Sequence, residues 1–362
     1  MPDINAGQEL PAAQPLPLGG ADAAQSPAAV DPLAAAPRPA RREGTLRYGP
    51  TAAVVVILLV VTSLTVPNFL TVTNFLNVLQ QMSIIGVVSL GMTFVILTAG
   101  IDLSVGAVLE LTSVLCALIL AHHLPVIVAI LAAVAAGGVV GIVNGLGYTV
   151  LKIQPFVMTL ATLAITEGLA LTFANGSEVS YTASSSLLDF LGIGGIGRLS
   201  GEFVVFLGLA ILGWLTLRFL PFGRYVYAVG GSLETARLAG IRVKLVLAFV
   251  YVICGIGAGV AGVMVTASLG VGEPTAGSLT NLDAIAAVVI GGTSLMGGRG
   301  SVWGSVAGAF ILALIADVLT LLGVSPYQTE VIRGCVIIAA VLVGSIPVLR
   351  GGWISRIRTK SL

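Results

Sequence analysis

The run VIVAILAAVAAGGVVGIVNGLGYTV fills residues 126–150 without one charged side chain. A helix rises 1.5 Å per residue, so about 20 apolar residues cross a hydrocarbon layer about 30 Å thick. This stretch is long enough to cross, and too apolar to face water. Outward from it, similar stretches recur at 50–66, 82–99, 104–121, 156–174, 203–219, 246–268, 284–297, 302–322 and 331–349, making ten expected membrane segments. The expected fold class is all-α, a polytopic membrane helix bundle.

Composition agrees with that reading. Of 362 residues, 57% are hydrophobic and 9% charged, against roughly 25% charged in a typical soluble domain. Residues 1–47 are Pro- and Ala-rich with no long aliphatic run, and read as a disordered tail that cannot bury enough apolar surface to offset ordering. No short apolar core follows Met1, so no cleavable signal peptide is expected. Residues 48–350 form the transmembrane domain and 351–362 a basic tail. Residues 68–81 interleave apolar side chains with Asn, Thr and Gln and suit a short helix lying at the interface. The polar stretch 175–202 is the longest external loop.

Basic residues favour the cytoplasmic side. With both termini inside, that face collects Arg38, Arg41, Arg42, Arg47, Lys152, Arg218, Arg224, Arg237, Arg242, Lys244, Arg299, Arg350, Arg356, Arg358 and Lys360, leaving Arg198 and Arg333 outside. Glu178, Asp189, Glu202, Glu273, Asp283 and Glu330 then fall in external loops. A miscount by one segment would scatter the positive charges over both faces.

Several chemistries are excluded. A net charge of +1 does not suit a nucleic-acid binder. Cys116, Cys254 and Cys335 have no paired spacing and read as apolar fillers. Gly257, Gly259 and Gly262 spell a dinucleotide-binding pattern, but inside a continuous apolar helix with no preceding strand. None of Lys152, Lys244 and Lys360 sits in a phosphate-binding loop, so this chain is not expected to hydrolyse ATP. His122 and His123 read as loop polarity. No cofactor or metal is expected, and the Asn175-Gly176-Ser177 sequon is weak. The glycine ladders Gly137, Gly141, Gly145 and Gly300, Gly304, Gly308 are strips for close helix approach.

Acids inside the membrane are the sharper signal, because a charge at a helix centre costs about 2.5–3.5 kcal/mol on insertion scales. Asp102, Glu110, Glu167 and Asp317 have no Lys or Arg deep in a segment to pair with. They are protonated, bonded to polar neighbours, or facing water. Asp102 and Ser104 lie in the glycine-flanked run 99–106, where either could also cap a restarting helix. A second glycine-dense break spans 291–298, and interrupted helices at corresponding places point to a transporter's substrate path. Between Arg218 and Lys244, residues 233–239 read as a short helix begun after Gly231-Ser232 and ended at Gly240; it is either a solvated loop element or one that docks in a partner's groove.

Three runs carry a resemblance: AGIDLSVG at 99–106, GGSLETARLAGI at 230–241 and DAIAAVVIGGTSLMGG at 283–298. They resemble the permease family of ATP-binding-cassette importers for ribose, xylose, galactose and related sugars, over roughly residues 50–350. Ala99 replaces a glycine of the family pattern, Ser232 an asparagine and Thr235 an alanine. Glu167 stands where the family tends to show arginine, and Asp317 where asparagine is common, so the resemblance names no particular sugar. It implies a second permease chain, identical or different, a cytoplasmic ATPase, an external sugar-binding protein, and location in a bacterial cytoplasmic membrane. It also implies that the segment containing Gly230, Gly231, Ala236, Arg237, Gly240 and Ile241 meets the ATPase. The path is expected near Asp102, Ser104, Glu110 and Asp317, with Thr159, Thr162 and Thr293 as further hydroxyls. Rival readings are a branched-chain amino acid permease of the same architecture and a proton-driven secondary transporter.

Overall fold

The computed structural model describes residues 49–336 and 338, with 68 and 326 excepted. The tails expected at 1–47 and 351–362, and most of the segment expected at 331–349, lie outside them. The described part is helical with only short strand pairs. In chain order come α1 (Gly49–Thr65), α2 (Val72–Leu97), α3 (Val105–Ala121), α4 (Val126–Thr149) and α5 (Pro155–Phe173). Then follow β1 (Val179–Ser180), α6 (Ser186–Gly192), β2 (Gly195–Ile196), β3 (Leu199–Ser200), α7 (Gly201–Phe219), α8 (Pro221–Gly231) and α9 (Leu233–Leu238). The chain continues with α10 (Val243–Leu269), β4 (Val271–Gly272), α11 (Thr280–Ile290) and α12 (Val302–Leu321); residues 327–336 are again helical.

The ends of these helices follow from local chemistry. Thr71, Ser185, Ser200, Ser232 and Ser301 each turn a side-chain oxygen onto a first-turn amide of α2, α6, α7, α9 and α12, satisfying a donor that the helix itself cannot. Pro155 and Pro221 open α5 and α8, where a missing N–H costs nothing. Gly270 ends α10 with φ +72°.

Six helices, α2, α4, α5, α7, α10 and α12, are long and apolar enough to cross a membrane, while α3 and α11 are apolar but shorter. The chain is a multi-pass membrane protein. Helices α2, α10 and α12 are largely buried, whereas α4, α5 and α7 turn most of their side chains outward. Helix α10 packs on α4, α3 and α2, and α2 on α12, α11 and α7. The first glycine ladder explains the α4–α10 contact: a Cβ on Gly137 would strike the Gly255 carbonyl and one on Gly141 the Tyr251 carbonyl, while at Gly145 it would lie 2.9 Å from Ala248 Cα. Gly259 and Gly262 sit in α10 against α4 and α3 in the same way.

Four expectations are corrected. The interfacial helix at 68–81 is the first part of α2, which is continuous to Leu97. Of its polar residues Asn74 is the buried one, donating to Asp317 on α12 at 2.8 Å and to the Phe69 carbonyl at 3.3 Å, while Thr73, Asn77 and Gln81 stay exposed. The segment at 284–297 is only α11, ending at Ile290, because Gly292, Gly297 and Gly298 take positive φ and turn the chain toward α12. Gly300 therefore lies off the helical ladder, which keeps Gly304 against the Gly291 carbonyl and Gly308 against that of Ala287. Glu202 and Asp283 are buried rather than set in loops. Asp283 pairs there with Arg333 at 3.2 Å.

The strand pairs were not expected. In one, β1 runs antiparallel to β4 with Val179 opposite Gly272; the β2–β3 pair lies within 195–200. Beyond β4 the chain folds back along α3. Gly272 lies against Ser113, Val114 and Ala117, Gly277 against Gly106, and Asn281 donates to the Leu103 carbonyl at 3.2 Å. Helix α11 thus starts beside the N-terminus of α3, and the non-helical stretch leading to it is anchored at buried Pro274 and Gly277 while Thr275, Ala276, Ser278 and Leu279 stay exposed. Irregular backbone at membrane depth needs protein or water over it.

Candidate functional site

Helix α2 stops at Leu97, Ala99 takes φ +60°, and α3 starts at Val105. Ser104 precedes α3 without capping it through its side chain. Its hydroxyl donates to Asp102 Oδ1 at 2.6 Å and its amide to the same oxygen at 3.0 Å. Of the alternatives, then, Asp102 does accept a freed amide, within the break. Asn144 of α4 donates to Ser104 Oγ at 2.9 Å, and Thr162 of α5 donates to Asn144 Oδ1 at 2.7 Å. Thr159 Oγ1 lies 3.0 Å from the Pro155 carbonyl and 3.4 Å from that of Ile101. The Tyr251 hydroxyl reaches the Ile101 carbonyl from α10 at 3.5 Å. Asp102, Ser104, Thr159 and Thr162 are therefore joined in one buried network crossing α3, α4 and α5. Inside protein, each such bond is worth more satisfied than broken, because an unmade one leaves a dehydrated polar group.

Glu110 occupies a separate place on α3. Its Oε1 accepts the Gly277 amide at 3.1 Å and lies 3.4 Å from the Ser278 hydroxyl. Beside it is a cavity of about 60 Å³, lined by Gly106, Ala107, Glu110, Leu163, Glu167, Gly277, Ser278 and Asn281. It has room for a few waters and is well below the roughly 300 Å³ at which ligand pockets begin. Glu167, on an exposed part of α5, reaches the rim. A carboxylate on the outer surface of a membrane helix needs water or protein over it.

Asp317 is elsewhere again, held by Asn74 between α12 and α2. Thr293 lies in the turn after α11, buried, with no partner for its hydroxyl among the described residues. The seven path candidates thus fall in four places, and only the four around Asp102 touch through a shared network. Asn144, Asn281 and Tyr251 complete that region and were not singled out from the sequence. Asn144 had a usable signal, being the lone amide in the charge-free 126–150 run.

The short helix expected at 233–239 is α9. Ser232 Oγ accepts the Thr235 amide at 3.2 Å, and Gly240 takes φ +80° and donates to the Arg237 carbonyl at 3.0 Å. Ile241 closes the turn by donating to the Ala236 carbonyl at 3.1 Å. Ala236 is buried, while Arg237 and Gly240 are exposed and Leu238 is 83% exposed. The preceding α8 was not read from the sequence. At its end Gly230 packs on the Leu97 carbonyl and the Gly298 amide, and Gly297 on Ala99 and the Gly230 carbonyl, so all three family-like runs meet there.

Residues 74–341 match the family described as branched-chain amino acid transport system / permease component. The chain is 42% identical to the ribose import permease of Escherichia coli strain K12 over 294 residues, covering 80% of this chain and 91% of that one. It is 37% identical to the D-allose transport system permease of the same organism over 296 residues, covering 82% and 90%. With the fructose import permease of Rhizobium meliloti it shares 36% identity over 270 residues, covering 72% and 75%. No solved structure matches the chain. The chain accordingly belongs to the family of branched-chain amino acid transport system / permease components.

Proposed function

We propose that this chain is the membrane-spanning subunit of an ATP-driven importer and carries a monosaccharide across the cytoplasmic membrane of a bacterium. The likeness to ribose, allose and fructose import permeases, over most of both chains, carries the sugar reading. Two such chains pack around a central path, a soluble ATPase supplies the energy, and an external binding protein delivers the sugar. Both termini lie inside. A ten-segment count takes in the shorter α1 and α3, the fold-back that ends in α11, and the helix that starts at 327.

The path wall is best sought at the Glu110–Glu167 cavity, which opens beside the outward-facing α5; carboxylates can accept bonds from sugar hydroxyls there. The network of Asp102, Ser104, Thr159 and Thr162 fixes the helix break behind it. Asp317 and Thr293 belong to packing around α12. Segment 230–241 meets the ATPase: α9 carries Leu233 and Leu238 exposed on one short helix, as an element docking in a partner's groove would, and Arg237 beside Leu238 supplies charge for an acidic groove.

The test is reconstituted uptake with the companion ATPase and binding protein, comparing labelled pentoses and hexoses with leucine. Leucine uptake without sugar uptake would move the assignment to the second reading, a branched-chain amino acid permease, which the family description favours. Proton-driven uptake by this chain alone in proteoliposomes would overturn both.

A further inference from the structure

The end of α2, the end of α8 and the turn between α11 and α12 touch mainly through backbone. The Gly298 amide donates to the Leu97 carbonyl at 2.9 Å. A Cβ on Gly230 would fall on that carbonyl, and one on Gly297, at φ +79°, would lie 2.9 Å from both the Ala99 amide and the Gly230 carbonyl. Gly298, at φ +70°, stands equally close to Gly231, where a Cβ would lie 3.1 Å from its Cα. From α8, the Tyr227 hydroxyl donates to the Gly300 carbonyl at 3.0 Å. Such a contact has no rotamers with which to absorb a displacement, and close-packed backbone passes strain on.

What leaves this joint is as informative as what forms it. Five residues beyond Leu97 lies Asp102, at the head of its buried network. Back from Gly297 lies α11, whose approach holds Asn281 on the Leu103 carbonyl and Gly277 on Glu110. Forward from Gly231 the chain enters α9 directly through Ser232. The exposed helix is therefore two residues from a point in contact with both supports of the cavity wall.

We propose that residues 97–99, 230–231 and 297–298 form one rigid joint, which moves as a unit and carries displacement of α9 to the Asp102 break and to α11 together. Gly230, Gly297 and Gly298 act as positioning residues for transport. This rests on the reading of α9 as the ATPase contact.

The test is a cross-link across the joint in the complete assembly. A Cβ on Gly297 would lie 3.1 Å from Ala99 Cβ, slightly inside the 3.5–4.5 Å that a disulfide spans, so Ala99→Cys with Gly297→Cys can oxidise with a small shift. Because a side chain at Gly297 itself disturbs the joint, the readout is the rate of disulfide formation in the membrane assembly, taken without nucleotide and with ATP trapped by vanadate. A joint that stays closed cross-links at rates within about twofold in the two states, whereas a difference of more than about tenfold would show that the joint parts during the cycle and overturn the proposal. In a second arm, Gly230→Val wedges the joint open and lowers uptake by about tenfold or more; wild-type uptake in that variant would also overturn it. Gly230→Ala gives a graded form should the valine variant not fold. Co-purification of the ATPase with wild-type and Leu238→Asp chains reports separately on docking, so a failed contact at α9 is told apart from a failed joint.

Discussion

Asn144 shows how much rests on one amide. It gives its nitrogen to Ser104 and its oxygen to Thr162, and so joins α3 to α5 across α4. Asn144→Ala removes both bonds, leaves Ser104 to its bond with Asp102 and Thr162 to the carbonyls of its own helix, and is expected to cost about 1–2 kcal/mol, read as a lowered unfolding temperature of the detergent-purified chain. Thr162→Val, which removes only a donor, should cost less. Two glycines make a contrasting pair at the same scale. Gly141 abuts the Tyr251 carbonyl, and backbone cannot give way, so Gly141→Ala separates α4 from α10 and should lower the yield of folded chain. At Gly168 a Cβ meets nothing within 4 Å, and Gly168→Ala should be neutral or stabilising by a few tenths up to about 1 kcal/mol, because alanine has fewer unfolded conformations to lose. Equal behaviour of the two variants would contradict the packing described for α4 and α10.

Helix α11 is the element least able to hold itself in place. It is short, follows irregular backbone, and ends in a glycine turn. Asp283 in its first turn pairs with Arg333 of the helix that begins at 327, the one ion pair among the described residues. Breaking a buried pair on one side leaves an uncompensated charge, typically at a cost of about 3–5 kcal/mol. Arg333 retains a quarter of its side-chain exposure, so Asp283→Asn or Arg333→Gln should cost about 2–3 kcal/mol. The double variant should recover most of that, and a double-mutant cycle on thermal unfolding measures the difference. Additive single costs would mean that the pair does not hold α11. Helix α9 differs in kind: its cap and its glycine stop are local, which is why it could be read from sequence, whereas α8 could not, since Gly223 and Gly230 are explained only by what packs on them.

At the scale of the whole molecule, the charge pattern predicts an orientation that labelling can check. Cysteines placed at Arg237 and at Ser184 should react from opposite sides, the second from outside, with a membrane-impermeant reagent; reaction of the first alone from outside would invert the topology. The bundle divides into a buried set, α2, α10 and α12, and an outward set, α4, α5 and α7. Both sets are similarly apolar in sequence. Hydropathy cannot separate a side chain that faces lipid from one that faces another helix, since both environments exclude water.

That indifference marks what each level decided. Long uncharged runs, basic residues gathered between alternate segments, serine caps and glycine stops are local or compositional properties, so the sequence alone determined a multi-pass helical bundle, most helix positions and the short helix α9. Which polar residue meets which is set by contacts between residues far apart in the chain. Asn74 with Asp317, Asn144 with Ser104, Asp283 with Arg333 and Gly230 with Leu97 are joined only when helices pack. For that reason the interfacial helix was misplaced, the fold-back before α11 went unseen, and the three glycine-rich runs could be found one by one but not recognised as neighbours until the backbone brought them together.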